Sequence, residues 1–260
     1  MRFCVLASDS SGNCCFVESG GTKVLIDAGT SCKLIKDRLA EIGESLENIQ
    51  AVCFTHSHSD HTGAAGTLAT RHKIPIYGTD GTADAFNFSL KTKTRPEWKI
   101  FQSGNDFTIG ALTIHPFRVP HDAPDTVGFV ISDGVSTLGI ATDMGEVPEM
   151  VVQRLSICNA LLLEFNHELE WLINCKTRPQ PLIQRIRGRN GHLSNDQAAE
   201  LLVRIAGPHL RTVYLAHISD ECNSIDRAAE SAASALKKCA AAAHSTRICR
   251  PVWPFPLTEV

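Results

Sequence analysis

The sequence predicts an α/β protein built as an αββα sandwich, two mixed β-sheets packed face to face with helices outside. Three observations carry that expectation. Strands lead and β/α alternation follows; the same order runs twice along the chain; and no Ser/Pro/Gly-rich linker divides the two runs. A length of 260 residues at 43% hydrophobic and 20% charged composition allows a full core and excludes disordered, collagenous and coiled-coil classes. Residues 1–260 are therefore read as one domain.

In the first half, alternating or short apolar runs mark strands near 2–7, 14–19 and 22–27. Leu34, Ile35, Leu39 and Ile42 share one face of a helix over 31–42. Residues 51–54 read as a buried strand, 60–72 as a helix and 74–77 as a short strand. The second half repeats the order, with antiparallel strands over 107–119, 127–132 and 137–141 and Asp133-Gly134 turning the last hairpin. A helix near 147–156, a strand over 160–165, a helix over 194–206, a strand over 212–216 and an Ala-rich helix near 226–243 follow. Ser194, with Gln197 three residues on, forms a capping box for the 194–206 helix. Residues 243–260, with Pro251, Pro254 and Pro256, are read as an extended C-terminal tail.

The 28 acidic and 25 basic side chains give a net charge of −3, so no global positive field recruits nucleic acid and such a partner must be held locally. No apolar run reaches the roughly 20 residues of a membrane helix, and the opening apolar run breaks at Ser8-Asp9, too early for a signal-peptide core. The expectation is a soluble cytoplasmic protein with no membrane partner. Ten cysteines without a C-x-x-C are expected to be reduced, buried and small rather than paired.

Chemistry concentrates in Thr55-His56-Ser57-His58-Ser59-Asp60-His61. His56 and His58, two apart in an extended segment, point the same way, whereas Asp60 and His61 begin a helix and turn toward a second point. Imidazoles with a carboxylate in that arrangement suit two adjacent divalent metals. Further donors stand just after predicted strands: His121, Asp143 and His217. His192, in Gly191-His192-Leu193-Ser194-Asn195, sits beside a helix N-terminus, where backbone N–H groups and the helix dipole favour a phosphate. Between 171 and 195 lie Lys176, Arg178, Arg185, Arg187 and Arg189 and no acid. A second basic cluster holds Lys91, Lys93, Arg95 and Lys99, with Trp98 as a stacking ring.

Taken in order, Asp27, the 56–61 cluster, His121, Asp143 and His217 resemble the metallo-β-lactamase fold over nearly the whole chain. That resemblance implies that His56, His58 and His121 hold one metal, that Asp60, His61 and His217 hold the other, and that Asp143 bridges. It also implies that Asp27 accepts a hydrogen bond orienting a ligand histidine. True β-lactamases of this fold commonly place a cysteine where this chain has Asp143; a carboxylate there fits phosphodiesterases and glyoxalase-like thioesterases. Ser10-Ser11-Gly12-Asn13-Cys14, Glu164-Phe165-Asn166-His167, the 191–195 segment and His217-Ile218-Ser219 with Asn223 look like the YycJ (WalJ) family. Its members resemble ribonuclease Z in core layout and are associated with exonuclease action on DNA. The chain departs from that pattern at Phe165, where a small polar residue is expected, and at Cys222, where a second asparagine is expected. It lacks the long insertion of the β-CASP nucleases and the exosite arm of ribonuclease Z.

The implied activity is metal-dependent phosphodiester hydrolysis, as a 5′–3′ DNA exonuclease. Two divalent ions, zinc or manganese with iron also compatible, would acidify a water and deliver hydroxide in line with phosphorus. Asp60 or Asp143 would orient the nucleophile, His192 would donate to the phosphate or leaving oxygen, and Glu164 would fix the His192 tautomer. Ser11, Asn13, Asn166, His167, Ser194, Arg185, Arg187 and Arg189 are the expected substrate contacts. Glyoxalase-type thioester or lactone hydrolysis, with weak β-lactamase activity, is the alternative; it uses the same metal ligands and needs neither His192 nor the basic stretch.

Overall fold

In the computed structural model, which describes residues 1–9, 12–90, 95–239, 246–250 and 257–260, two seven-stranded mixed sheets are flanked by helices. The first sheet begins as an antiparallel meander of β1 (Arg2–Asp9), β2 (Gly12–Ser19) and β3 (Thr22–Ile26). It continues in parallel through β4 (Ala51–Cys53), β5 (Ile76–Gly78) and β6 (Trp98–Ile100). Helices α1 (Cys32–Glu41), α2 (Ser59–Thr62), α3 (Ala65–Thr70) and α4 (Asp80–Ser89) lie in these crossovers.

The second sheet repeats the plan. Strands β7 (Phe107–Ile109), β8 (Leu112–Arg118), β9 (Val127–Ser132) and β10 (Thr137–Ala141) are antiparallel, and β11 (Ala160–Glu164), β12 (Thr212–Ala216) and β13 (Arg247–Cys249) extend it in parallel. Its connections carry α5 (Glu149–Leu155), α6 (Leu169–Ile173), α7 (Gln180–Arg187), α8 (Asn195–Ile205) and α9 (Ile225–Lys237).

Side-chain alternation shows why the central strands read as unbroken apolar runs. Along β11, Ala160 and Leu162 join the core shared with the first sheet, whereas Leu161 and Leu163 join Leu155 of α5 and Leu201, Leu202 and Ile205 of α8. Both faces are covered, as parallel strands require. Each buried leucine contributes about 1.5–3 kcal/mol relative to exposure.

The structure departs from the sequence reading in several places. The 60–72 helix is broken at Gly63-Ala64 because that turn packs on Gly29, whose carbonyl oxygen lies 2.5 Å from where a Gly63 Cβ would stand. The Asp133-Gly134 turn is a loop over 133–136. Asp133 Oδ1 accepts from Val135 N (3.0 Å) and Ser136 N (2.8 Å), and Gly134 takes φ 84°. Helix α9 ends at Lys237. The C-terminal segment is more than an extended tail: β13 pairs with β12 in one sheet, and β14 (Thr258–Glu259) pairs with β1 in the other. Residues 251–256, Lys91, Lys93 and Ser11 lie outside the described residues. Trp98 is half-buried against Phe54 and Phe86, with ring centroids 5.5 Å away in each case, which makes it a core residue rather than a stacking platform. Among the described residues no helix is long and apolar enough to cross a membrane.

Candidate active site

Strand ends of both sheets deliver the polar residues to one place: Asp27 after β3, His56–His61 after β4, Asp143 after β10, Glu164 at the end of β11 and His217 after β12. His121 comes from the loop after β8. The backbone stitches these loops together. Ala28 N donates to His61 O (2.8 Å), Gly29 N to Asn13 O (2.8 Å) and Ala64 N to Ala28 O (2.8 Å). Gly29 is required for that contact, because a Cβ there would fall 1.5 Å from the Asp60 carbonyl oxygen. Asp27, Asp143 and His217 have φ of 58°, 57° and 54°, a left-handed backbone that L-residues other than glycine adopt at a cost.

Four of the five imidazoles in the predicted ligand set are tethered on their outer side. His56 Nδ1 lies 3.0 Å from Thr55 Oγ1, His61 Nδ1 2.8 Å from Asp27 Oδ2, His121 Nδ1 3.2 Å from Gly191 O and His217 Nδ1 3.1 Å from Glu164 Oε1. Such partners fix tautomer and ring orientation and leave the opposite nitrogen free to ligate. His56 Nε2 and His217 Nε2 are buried with no hydrogen-bond partner among the described residues. Asp143 Oδ2 stands 3.2 Å from His61 Nε2 without a well-directed hydrogen bond. Buried polar atoms left unpaired cost about 1–3 kcal/mol each, so a converging set of them points to a cation.

The donor atoms group accordingly. His56, His58 and His121 form one cluster, Asp60, His61 and His217 a second, and Asp143 with His56 and His61 a third; within each, one donor atom per residue lies within 4.8 Å of the others. A fourth group joins Asp143, Glu164, His192 and His217. These residues fit divalent ions in the manner of a borderline-metal site.

Electrostatics divides the histidines. Burial pushes His56, His58 and His121 below the ordinary imidazole value, leaving lone pairs available at neutral pH. Burial, the largest single influence, opposes charge on His61 and His217, but it is outweighed by Asp143 together with Asp27 at His61, and by Asp143 together with Asp60 and Glu164 at His217. His61 is raised well above its usual value and His217 to about 10. For Asp60 and Asp143, burial is overcome by His217 and His61, which hold both carboxyls well below the usual range. The negative field that favours protons on His61 and His217 favours a divalent cation in the same place.

Glu164 is fully buried and sits at a junction that its sequence neighbours do not reveal. Oε1 contacts His192 Nδ1 (2.8 Å) and His217 Nδ1 (3.1 Å), and Oε2 accepts from Met144 N (3.1 Å) and Leu193 N (3.2 Å). Burial would raise its pKa; His192 and the hydrogen bonds bring it down to about 2. His192 lines a cavity of about 150 Å³ with Asn166, Arg178, Arg185, His217 and Ser219.

The remaining expected contacts fall into place differently. Asn13 Nδ2 lies 3.1 Å from His61 Nε2 and 3.4 Å from Asp60 Oδ2, inside the cluster. Asn166 Nδ2 donates to His217 O (2.9 Å), holding the His217 loop as well as lining the cavity. His167 is 1% exposed, which takes it off the surface a phosphate reaches, and burial lowers its pKa to about 4. Ser194 is buried and its Oγ accepts from Gln197 N (3.2 Å), so its hydroxyl serves the capping box rather than a substrate. Arg185 pairs with Asp122, and Arg189 forms a two-pronged pair with Glu146 (2.8 and 2.9 Å); Arg187 is exposed. Asp122, 3.6 Å from His58 Nε2 and 3.4 Å from His121 Nε2, is a site residue that the sequence reading missed, although it directly follows His121.

Residues 22–218 match the family model described as the beta-lactamase superfamily domain. The exodeoxyribonuclease WalJ of Streptococcus pneumoniae is 34% identical over 226 residues, spanning 85% of this chain and 83% of the relative. The exodeoxyribonuclease YycJ of Bacillus anthracis is 28% identical over 238 residues, spanning 92% and 90%. Among solved structures, the metallo-beta-lactamase fold protein YhfI from Bacillus subtilis superposes with a TM-score of 0.72 at 17% identity, covering 97% of each chain.

Proposed function

Because the chain belongs to the beta-lactamase superfamily, alongside the WalJ and YycJ exodeoxyribonucleases, we propose that it is a metal-dependent phosphodiesterase that removes nucleotides from DNA ends in the 5′–3′ direction. The observation that carries the reading is the Glu164–His192 contact of 2.8 Å, which holds a histidine at the mouth of a cavity edged by Arg178 and Arg185. Ester hydrolysis with a good leaving group needs no such donor; expulsion of a nucleoside alkoxide does. Residues 1–260 act as one catalytic domain, working in the cytoplasm.

His56, His58 and His121 would hold one divalent ion and Asp60, His61 and His217 a second, with Asp143 between them. When bound, the pair supplies Lewis acidity toward a phosphate and a water acidic enough to ionise near neutral pH. Asp60, with 24% of its side chain exposed against 2% for Asp143, is the carboxylate that an incoming water reaches, and it orients that water. His192, its Nδ1 held by Glu164, donates from the other ring nitrogen to the leaving oxygen. Purified protein is expected to carry close to two transition-metal ions per chain by elemental analysis. A reproducible single ion, unchanged after addition of zinc or manganese, would rule out the bridging role of Asp143.

The discriminating experiment compares end-labelled DNA, bis(p-nitrophenyl) phosphate and a thioester on the same metal-loaded protein. DNA shortened stepwise from its 5′ end, with the thioester untouched, is expected. Faster thioester than phosphodiester turnover would overturn the reading in favour of glyoxalase-type chemistry.

DNA binding is expected to weaken steeply with salt through Lys176 and Arg187, which make no ion pair among the described residues, whereas Arg178, Arg185 and Arg189 are matched by Glu221, Asp122 and Glu146. Removing both free cations should reduce the slope of log K against log salt by about two, and Arg189→Gln by clearly less. Equal slopes in all variants would mark the stretch as a solvated face.

A further inference from the structure

Two of the ten cysteines stand together where α6 meets the loop that follows His217. Cys222 is fully buried with Leu172, Ile183 and Ile186, and Cys175, partly exposed, packs against the same cluster. Both side chains thus belong to one packed cluster, near enough for each thiol to influence the other's ionisation. The two segments are joined nearby by Glu168 N donating to Cys222 O (2.8 Å), and by Arg178 reaching Glu221 (2.7 Å) and Ser219 Oγ (3.3 Å).

We propose that Cys175 and Cys222 are an oxidation site: a hydroperoxide converts the pair into a disulfide that clamps the α6–α7 segment to the loop after His217. The two thiols have the unequal properties that such a reaction needs. Cys175 faces solvent, and the Thr177 hydroxyl at 3.1 Å, the N–H groups of Thr177 and Arg178 and the Cys222 thiol together favour its thiolate, lowering its pKa. Burial pushes Cys222 up to about 11, so it waits as a thiol.

The Cys175 thiolate sulfur attacks one peroxide oxygen, the O–O bond breaks, and two electrons pass to the departing hydroxide or alkoxide, leaving a sulfenic acid. Cys222 then gives up its proton and its sulfur attacks that of Cys175; the S–S bond forms and hydroxide leaves, taking the proton as water. Arg178, three residues after Cys175, and Ser219, three before Cys222, both line the cavity beside His192. The new bond therefore fixes one wall of that cavity, a consequence that rests on the proposed function, whereas the bond itself does not.

The test treats the full-length, metal-loaded protein with hydrogen peroxide, blocks remaining thiols and maps the cysteines by mass spectrometry. A peptide pair linked through Cys175 and Cys222, forming before any other cysteine oxidises and reversed by dithiothreitol, is expected. Cys175→Ser, a solvent-side change, should abolish it, and Cys222→Ala should leave a sulfenic acid on Cys175 that dimedone traps. Should Cys222→Ala not fold, the wild-type map and Cys175→Ser decide alone. Oxidation that stops at Cys175 in the wild type, or links two copies through Cys175, overturns the proposal. DNA turnover should fall at least about fivefold on oxidation, the lower end of coupling between linked sites, and recover with dithiothreitol, while Cys175→Ser stays indifferent to peroxide. A mapped disulfide with unchanged turnover overturns the coupling to the cavity.

Discussion

Replacing His192 with alanine should leave the metal content unchanged and lower DNA turnover by about 10²- to 10⁴-fold, the range of a positioned acid. Its Nδ1 is committed to Glu164 at 2.8 Å and its ring is 19% exposed at the cavity, so only its other nitrogen is offered to a substrate. The loss should depend on the leaving group. p-Nitrophenolate departs without a proton, so hydrolysis of its phosphodiester should fall far less than that of DNA. Glu164→Gln should show a weaker form of the same split, since an amide oxygen still accepts from Nδ1 but stabilises a protonated ring poorly. Equal losses on both substrates, or a missing metal in elemental analysis of His192→Ala, would remove the leaving-group role. The second outcome has a structural route, because His192 Nδ1 also stands 3.6 Å from Asp143 Oδ1.

Gly29→Ala should be the most damaging conservative change in the chain. The added methyl would lie 1.5 Å from the Asp60 carbonyl oxygen and 2.7 Å from His61 N, and these are backbone atoms that cannot swing aside. Asp60 and His61 must move as a unit, so the expected result is a loss of about 3 kcal/mol or more, the upper range for forced overpacking, together with weakened binding of any ion that Asp60, His61 and His217 would hold. Gly66→Ala is the matched control. It lies in α3 with nothing within 4 Å of its Cβ position, and helix propensity predicts a gain of roughly 0.5–1 kcal/mol. Denaturation midpoints of the two variants and their metal content decide the matter. A Gly29→Ala protein as stable and as metal-rich as the wild type would show that the 56–61 loop is not held by this contact.

Much of the site was legible because its residue types are improbable anywhere else. Three histidines and an aspartate within 56–61 have no use in an apolar core, and a strand end is where side chains can converge. The partners that aim those ligands were harder to see. Thr55 and the Gly191 carbonyl are ordinary groups given meaning by contacts in the folded chain, and no spacing signals them. The basic stretch has the same character: adjacency in sequence counts charges of one sign, while Asp122, Glu146 and Glu221 arrive from other loops to meet three of them.

Sheet order was readable where apolar runs were long. Helices α4 and α7 were not, since α7 buries only Ile183 and Ile186 and α4 only Thr82, Ala83 and Phe86, too few positions to establish a helical period. The edge strand β6 exposes Lys99 and Ile100 and carries little apolar pattern of its own.

The left-handed backbone at Asp27, Asp143 and His217 has a consequence for how this protein evolves. Each of these residues carries a backbone cost that glycine would not, up to about 1–2 kcal/mol and less for the aspartates, whose short polar side chains suit the conformation. Selection for heat resistance alone would therefore favour glycine wherever the side chain's own bonds return less than that strain, and would take the carboxylate or imidazole with it; the Asp27 carboxylate, which accepts from Thr55 N and meets His61 Nδ1, is kept by those bonds. Thermal robustness and catalysis draw on the same positions in opposite directions. Lineages, or laboratory libraries, screened only for survival of heating should accumulate inactive chains whose first changes fall at these loops, so any search for hardier forms must score turnover in the same round.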